Sequence, residues 1–250
     1  MKTLIKNKNN NLSLLKVIFL TFIPTTILTT SYILLGHVQN AIPSLLLFFL
    51  LVMFILLPME LAIILYASKK EFGSYSVKSA FVNQEKMSWR KILIYGFTLF
   101  GFAFIVLITV GSFENWIVSP LSTKLAEIVP SYFDWNNIEN LRQYPKYMVL
   151  LTCIVYGILN VLIGPVIEEL YFRGYLTSKI SRYKKWSPVI ITVLFSLYHF
   201  WLPLQNIFRI CAFLPAAYLA WKEKNIYISI VFHCLCNFIS SVGFFVAVYS

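Results

Sequence analysis

Gly164-Pro165-Val166-Ile167-Glu168-Glu169-Leu170-Tyr171-Phe172-Arg173-Gly174-Tyr175-Leu176 decides how this chain is read. Two adjacent carboxylates and a guanidinium lie inside an apolar run reaching from about residue 147 to 176. Such a run exceeds the roughly 20 apolar residues a helix needs to cross the hydrocarbon core. An ionisable side chain at that depth costs about 2.5–3.5 kcal/mol on insertion scales. Charge placed where it is costly points to an intramembrane site.

The rest of the chain agrees with a membrane setting. Of its 250 residues 59% are hydrophobic and only 12% charged, and the mean hydropathy is +0.75, which excludes an ordinary soluble domain. The expected fold is all-α, a polytopic transmembrane helical bundle of about seven spans. Apolar length places them at about 14–36, 42–67, 93–113, 147–176, 188–203, 206–221 and 226–249. The fifth and sixth are short enough to be tilted, re-entrant or packed within the bundle. Lys2, Lys6, Lys8 and Lys16 precede the first run, which is too long for a signal peptide and lacks a small-residue cleavage site, so it reads as an uncleaved span. The asparagine-rich run from Asn7 to Asn11 reads as a frayed tail.

A net charge of +11 could suggest nucleic acid, but the cations mostly flank the spans, as membrane orientation requires. No nucleic-acid partner is expected; the partners are the lipid bilayer and a membrane-associated peptide or protein. The tail, residues 68–92 and residues 177–187 are rich in lysine and arginine. The 114–146 loop instead carries Glu114, Glu127, Asp134 and Glu139 against Lys124, Arg142 and Lys146. The positive-inside bias therefore puts the N-terminus in the cytoplasm of a cell membrane and, with an odd number of spans, the C-terminus outside. Trp89, Trp116, Trp186, Trp201 and Trp221 fall at expected span ends. A piece around Leu121 to Trp135 could lie on the membrane surface. Cys153, Cys211, Cys234 and Cys236 have neither disulfide-framework nor C-x-x-C spacing.

Two further apolar runs carry Phe195-x-x-x-His199 and His233-x-x-x-Asn237. Counted from the cytoplasmic ends at about 1.5 Å per residue, Glu168, His199 and His233 reach about the same depth, roughly 10–17 Å. On a helix Glu169 and Arg173 are i and i+4, the order that favours an ion pair. Glu168 is rotated about 100° away, which leaves it as the free carboxylate, poised to take a proton from water. His233 and Asn237 share a face and together suit an oxyanion hole. Each feature also has a plain alternative, since a snorkelling Glu–Arg pair or a His–Asn packing contact would look the same. Their convergence from three helices favours a site. Glu60 in the second span reads as snorkelling with a lesser chance of facing the cavity, Arg209 as an interfacial anchor and His37 as a loop residue without a catalytic role. Pro165 and Gly164 allow a kink that re-aims the glutamates, and Tyr171 and Tyr198 are placed to line the site.

These residues resemble the CAAX-protease and bacteriocin-processing (CPBP, or Abi) family of intramembrane endopeptidases. The likeness rests on Glu168-Glu169-Leu170-Tyr171-Phe172-Arg173-Gly174, Phe195-Ser196-Leu197-Tyr198-His199 and His233-Cys234-Leu235-Cys236-Asn237, in the family's order and within the last four spans. It implies a peptide hydrolase in which Glu168 and His199 activate water while His233 and Asn237 hold the oxyanion. It divides the chain into residues 1–146, a tail with three variable spans, and residues 147–250, a catalytic helical core. A Lys-, Asn- and Ile-rich composition fits an AT-rich bacterial genome, where peptide processing or bacteriocin immunity is a better expectation than prenylated tails. The rival class is a non-catalytic membrane protein: an immunity or scaffold protein, or a small transporter using these groups as a proton relay. Members of such families are often labelled metalloproteases, and Glu168, His199 and His233 could serve as a zinc set. That would leave only Glu169, tied to Arg173, as a base; hydrolysis without metal or other cofactor is therefore the expectation, with zinc as the alternative.

Overall fold

The computed structural model describes residues 11–36, 38, 41–128, 134 and 137–250. The lysines before residue 11, most of the Asn7–Asn11 run, His37 and Trp135 lie outside the described residues. The described residues are mostly helical, without strands. Helix α1 spans Leu14–Leu35 and α2 spans Ser44–Phe72, with a π turn at Val52–Leu56. Helix α3 runs through Trp89–Val106, a π turn at Leu107–Gly111, and Ser112–Ile128. The short α4 is Ile138–Arg142. Helix α5 is Lys146–Lys179, α6 is Ser187–Tyr198, α7 is Asn206–Lys222 and α8 is Tyr227–Tyr249.

Among the described residues five helices, α1, α2, α3, α5 and α8, are long and apolar enough to cross a bilayer. Their outward faces are apolar at helical spacing, as in Leu150, Ile154, Ile158 and Leu162 of α5, all about half exposed. Polar groups point inward instead: Glu60, Glu169, Thr25 and Thr192 are fully buried. This inverted pattern is that of a multi-pass helical membrane protein. Helix α8 packs against the first half of α3 and against α5, α6 packs against α7 and α1, and α2 packs against the glutamate-bearing turn of α5.

The expected fifth and sixth spans are the ones that differ most from expectation. Helix α6 has 12 residues, about 18 Å at 1.5 Å per residue, against roughly 30 Å of hydrocarbon. It stops at Tyr198 rather than continuing to residue 203, and His199 leaves the helix at φ −80°, ψ 65°. A helix can end inside a bundle only if its last carbonyls find donors, and here they do. Thr25 Oγ1 donates to Tyr198 O at 2.6 Å, Arg209 Nη1 to Ser196 O at 3.1 Å, and His199 Nδ1 lies 2.7 Å from Phe195 O. Across the break, Glu114 receives the N–H groups of Ile207 and Phe208 at 2.8 and 2.7 Å, a carboxylate at the positive end of α7. Two expectations are thereby corrected. Arg209 is buried and ties the α6–α7 break, and is no interfacial anchor. Glu114 is buried on a helix continuing to Ile128, and is no loop charge.

Candidate active site

Pro165 has no N–H to give to the helix and its ring crowds the preceding turn. Helix α5 answers with a π turn at Leu159–Ile163 immediately before it and a second at Leu170–Leu176, on either side of the α-helical Gly164–Glu169. Such widened turns concentrate at functional sites because they re-aim side chains. The kink expected at Gly164–Pro165 is present in that form. Gly174 has its own reason: a Cβ there would meet Ala80 O at 2.5 Å, so only glycine lets the 3-10 turn Lys78–Ala80 close onto α5.

Glu169 is fully buried, and its Oε1 lies 3.2 Å from Arg173 Nη1 and 3.0 Å from His233 Nδ1. The expected Glu169–Arg173 pair is therefore formed, and Glu169 has a second partner that the i+4 rule could not reveal. His233 Nε2 then lies 3.8 Å from Glu168 Oε2, so one imidazole stands between the two glutamates. A carboxylate only accepts, so the proton on Nδ1 is directed at Glu169 and the Nε2 edge is left for Glu168. Glu168 keeps about a tenth of its side chain accessible, the more open of the two.

Phe195 gathers the remaining parts. The Arg173 guanidinium sits 4.0 Å from its ring centre, a cation–π contact. The imidazoles of His199 and His233 both meet that ring edge to face, at centroid distances of 4.8 and 5.9 Å. A carbonyl cannot donate, so His199 carries its proton on Nδ1 toward Phe195 O and presents Nε2 as a lone pair. Asn237 Nδ2 donates to Asn160 O at 2.8 Å, in the first π turn of α5. That commits one hydrogen of its NH₂ group and leaves the other.

Glu60 corrects a sequence expectation. It is fully buried, not snorkelling, and its Oε1 accepts from Tyr198 Oη at 2.7 Å. Tyr171 is also fully buried, and its hydroxyl donates to Leu20 O at 2.8 Å, binding α5 to α1. Sequence reasoning passed over Asn160 and the second partner of Glu169. A lone polar residue in an apolar run flags Asn160; no spacing rule pairs it with Asn237, 77 residues away.

Among the described residues no three His, Cys, Asp or Glu side chains converge as a metal-donor set. In both His199 and His233 the Nδ1 is engaged, by Phe195 O and Glu169, which leaves Nε2 as the free ring nitrogen, and Glu168 Oε2 lies 3.8 Å from that of His233.

Residues 150–239 match the family model described as type II CAAX prenyl endopeptidase Rce1-like. That stretch contains Glu168, Glu169, Arg173, His199, His233 and Asn237, and the matching model agrees with the CAAX-protease resemblance that the three motifs carry. Neither a curated protein nor a solved structure matches the chain.

Proposed function

We propose that this chain is an intramembrane endopeptidase, hydrolysing a peptide bond of a membrane-associated peptide or protein. The observation that carries the reading is the bridged pair of glutamates. Glu169, held by Arg173, orients His233, and His233 in turn faces Glu168 at 3.8 Å. An orienting carboxylate, an oriented imidazole and a second, more accessible carboxylate make a site for proton transfer.

In this mechanism a water lies between Glu168 and the Nε2 lone pair of His199. Glu168 takes its proton as the water oxygen attacks the peptide carbonyl carbon. The oxyanion is received by the second N–H of Asn237 and by Nε2 of His233, which donates when the ring carries both protons. Collapse breaks the C–N bond, and the proton on Glu168 passes to the leaving amine. No step is routed through a metal. The catalytic part is the core at 147–250, and the earlier spans support it through Glu60 and Thr25, both in contact with Tyr198.

The N-terminus is placed in the cytoplasm and the C-terminus outside. Five spans or seven give the same result, because a short α6–α7 hairpin entering and leaving on one face preserves the parity. His199→Ala and His233→Ala should each abolish peptide cleavage while the protein still accumulates in the membrane. Asn237→Ala should slow it by about 10²–10³-fold, the usual loss of one oxyanion donor. Wild-type cleavage by either histidine variant would refute the assignment.

A further inference from the structure

Helix α8 carries His233, Asn237 and Ser241 at intervals of four, on one face of the helix. All three meet α5. His233 reaches Glu169, while Asn237 and Ser241 converge on Asn160. Ser241 Oγ accepts from Asn160 Nδ2 at 3.1 Å, and Asn237 Nδ2 donates to Asn160 O at 2.8 Å. A backbone carbonyl inside a long helix is ordinarily taken by the helix itself, so the availability of Asn160 O needs a cause. In an α register its partner would be the N–H of Gly164, but that N–H goes to Leu159 O, five residues back. In the wider register the partner would be the N–H of residue 165, and Pro165 has none. Gly164 makes that register possible, because a Cβ there would meet Leu159 O at 2.8 Å. Asn160 O is therefore free of the helical ladder, and α8 supplies its donor.

We infer that Pro165 is a positioning residue for the oxyanion: by withholding an N–H it keeps Asn160 O open, and that carbonyl fixes which way the Asn237 carboxamide points. A carbonyl only accepts, so it holds the NH₂ edge of Asn237 against α5 and opposes the flip that would exchange Nδ2 for Oδ1. The two orientations have opposite effects on a developing negative charge. With the amide held, its second N–H stabilises the oxyanion; with it reversed, a carbonyl oxygen stands there and repels. Any other residue at 165 would bring an N–H along the helix axis and draw Asn160 O back into the ladder, in competition with Asn237. Proline inside a helix is unfavourable, so Pro165 weakens α5 while orienting Asn237. The consequence for catalysis rests on the endopeptidase reading, whereas the orientation of the amide does not.

The test is Pro165→Ala in the full chain. Its melting midpoint in detergent should equal or exceed that of the wild type, because alanine restores a helical N–H. New peptide termini should nevertheless appear in membranes at least about tenfold more slowly at matched protein levels, within the roughly 10²–10³-fold that losing an oxyanion donor costs. In an Asn237→Ala background the same change should slow cleavage no further, as expected of residues that act through one group. A readout independent of cleavage is the side-chain NH₂ signal of Asn237 in the ¹⁵N-asparagine-labelled chain, identified by its absence from Asn237→Ala. Pro165→Ala should shift that signal and speed its hydrogen exchange. Full-rate cleavage by Pro165→Ala overturns the inference, and so does a melting midpoint below that of the wild type. Equal slowing in the Asn237→Ala background, or an unmoved Asn237 signal, overturns it as well. Absence of cleavage by the wild type, with the signal moving as expected, refutes the endopeptidase reading and leaves the orientation of Asn237 by Pro165 standing.

Discussion

Removing Glu169 tests the architecture of the site through its stability. Its side chain is fully buried and that of Arg173 is 3% exposed, 3.2 Å apart. Taking one partner from a buried pair leaves an uncompensated charge and costs about 3–5 kcal/mol. Glu169→Ala also strips His233 Nδ1 of its acceptor at 3.0 Å, a further penalty of about 1–3 kcal/mol. Arg173→Ala is milder, because Glu169 keeps His233 and loses only the guanidinium. The two single changes are therefore unequal, with Glu169→Ala the worse. Combining them removes the stranded guanidinium, so the double change should cost less than the sum by about 0.5–3 kcal/mol, the coupling typical of residues in contact. Reversible unfolding in mixed detergent, run as a double-mutant cycle, measures this. Equal single losses that add to within about 0.5 kcal/mol would refute the shared role of Glu169.

Other elements make separate claims. Gly174→Ala drives a Cβ into Ala80 O, which cannot yield because Ser79 is tied to Ile64 O and Ser68 Oγ; about 1–3 kcal/mol should be lost. Gly101→Ala, with nothing within 4 Å of the new atom, should be neutral or stabilising in the same melt. Tyr198→Phe leaves Glu60, at 0% exposure, without its donor; about 1–3 kcal/mol should go, and Glu60→Gln should be the gentler change. Glu114→Ala uncaps α7 at about 0.5–2 kcal/mol, and hydrogen exchange at Ile207 and Phe208 should rise more than at α8.

The long spans were legible because each is a single apolar run, and hydropathy is additive along the chain. The ends of α1, α5 and α8 fall within about three residues of the expected boundaries, inside the usual latitude for helix ends. The early end of α6 was only partly legible. Residues 199–204 include Phe, Trp and Leu, apolar enough to continue a span. Pro203 is a local stop, since in a continued helix its ring would meet the carbonyl of His199, but the groups that cap the end come from elsewhere, Thr25 on α1 and Arg209 on α7. Such long-range capping leaves no local pattern.

The site divides along the same line. Glu169 with Arg173 was readable from i+4 spacing. Glu169 with His233 spans 64 residues and follows only once α8 packs on α5. The buried Glu60 was misread because a carboxylate near a span end ordinarily snorkels, and nothing local disclosed that Tyr198 would reach it.

The measurement that bears most directly on the account compares the peptide termini in membranes carrying the wild-type chain with those carrying Glu168→Gln, at matched protein levels. Glutamine keeps the size of the side chain and removes its capacity to take a proton. The account predicts a set of new termini in wild-type membranes that is missing with Glu168→Gln and returns when the wild-type chain is restored. Identical termini in both membranes, or the wild-type set persisting with Glu168→Gln, would contradict water activation by Glu168 and with it the proposed hydrolysis.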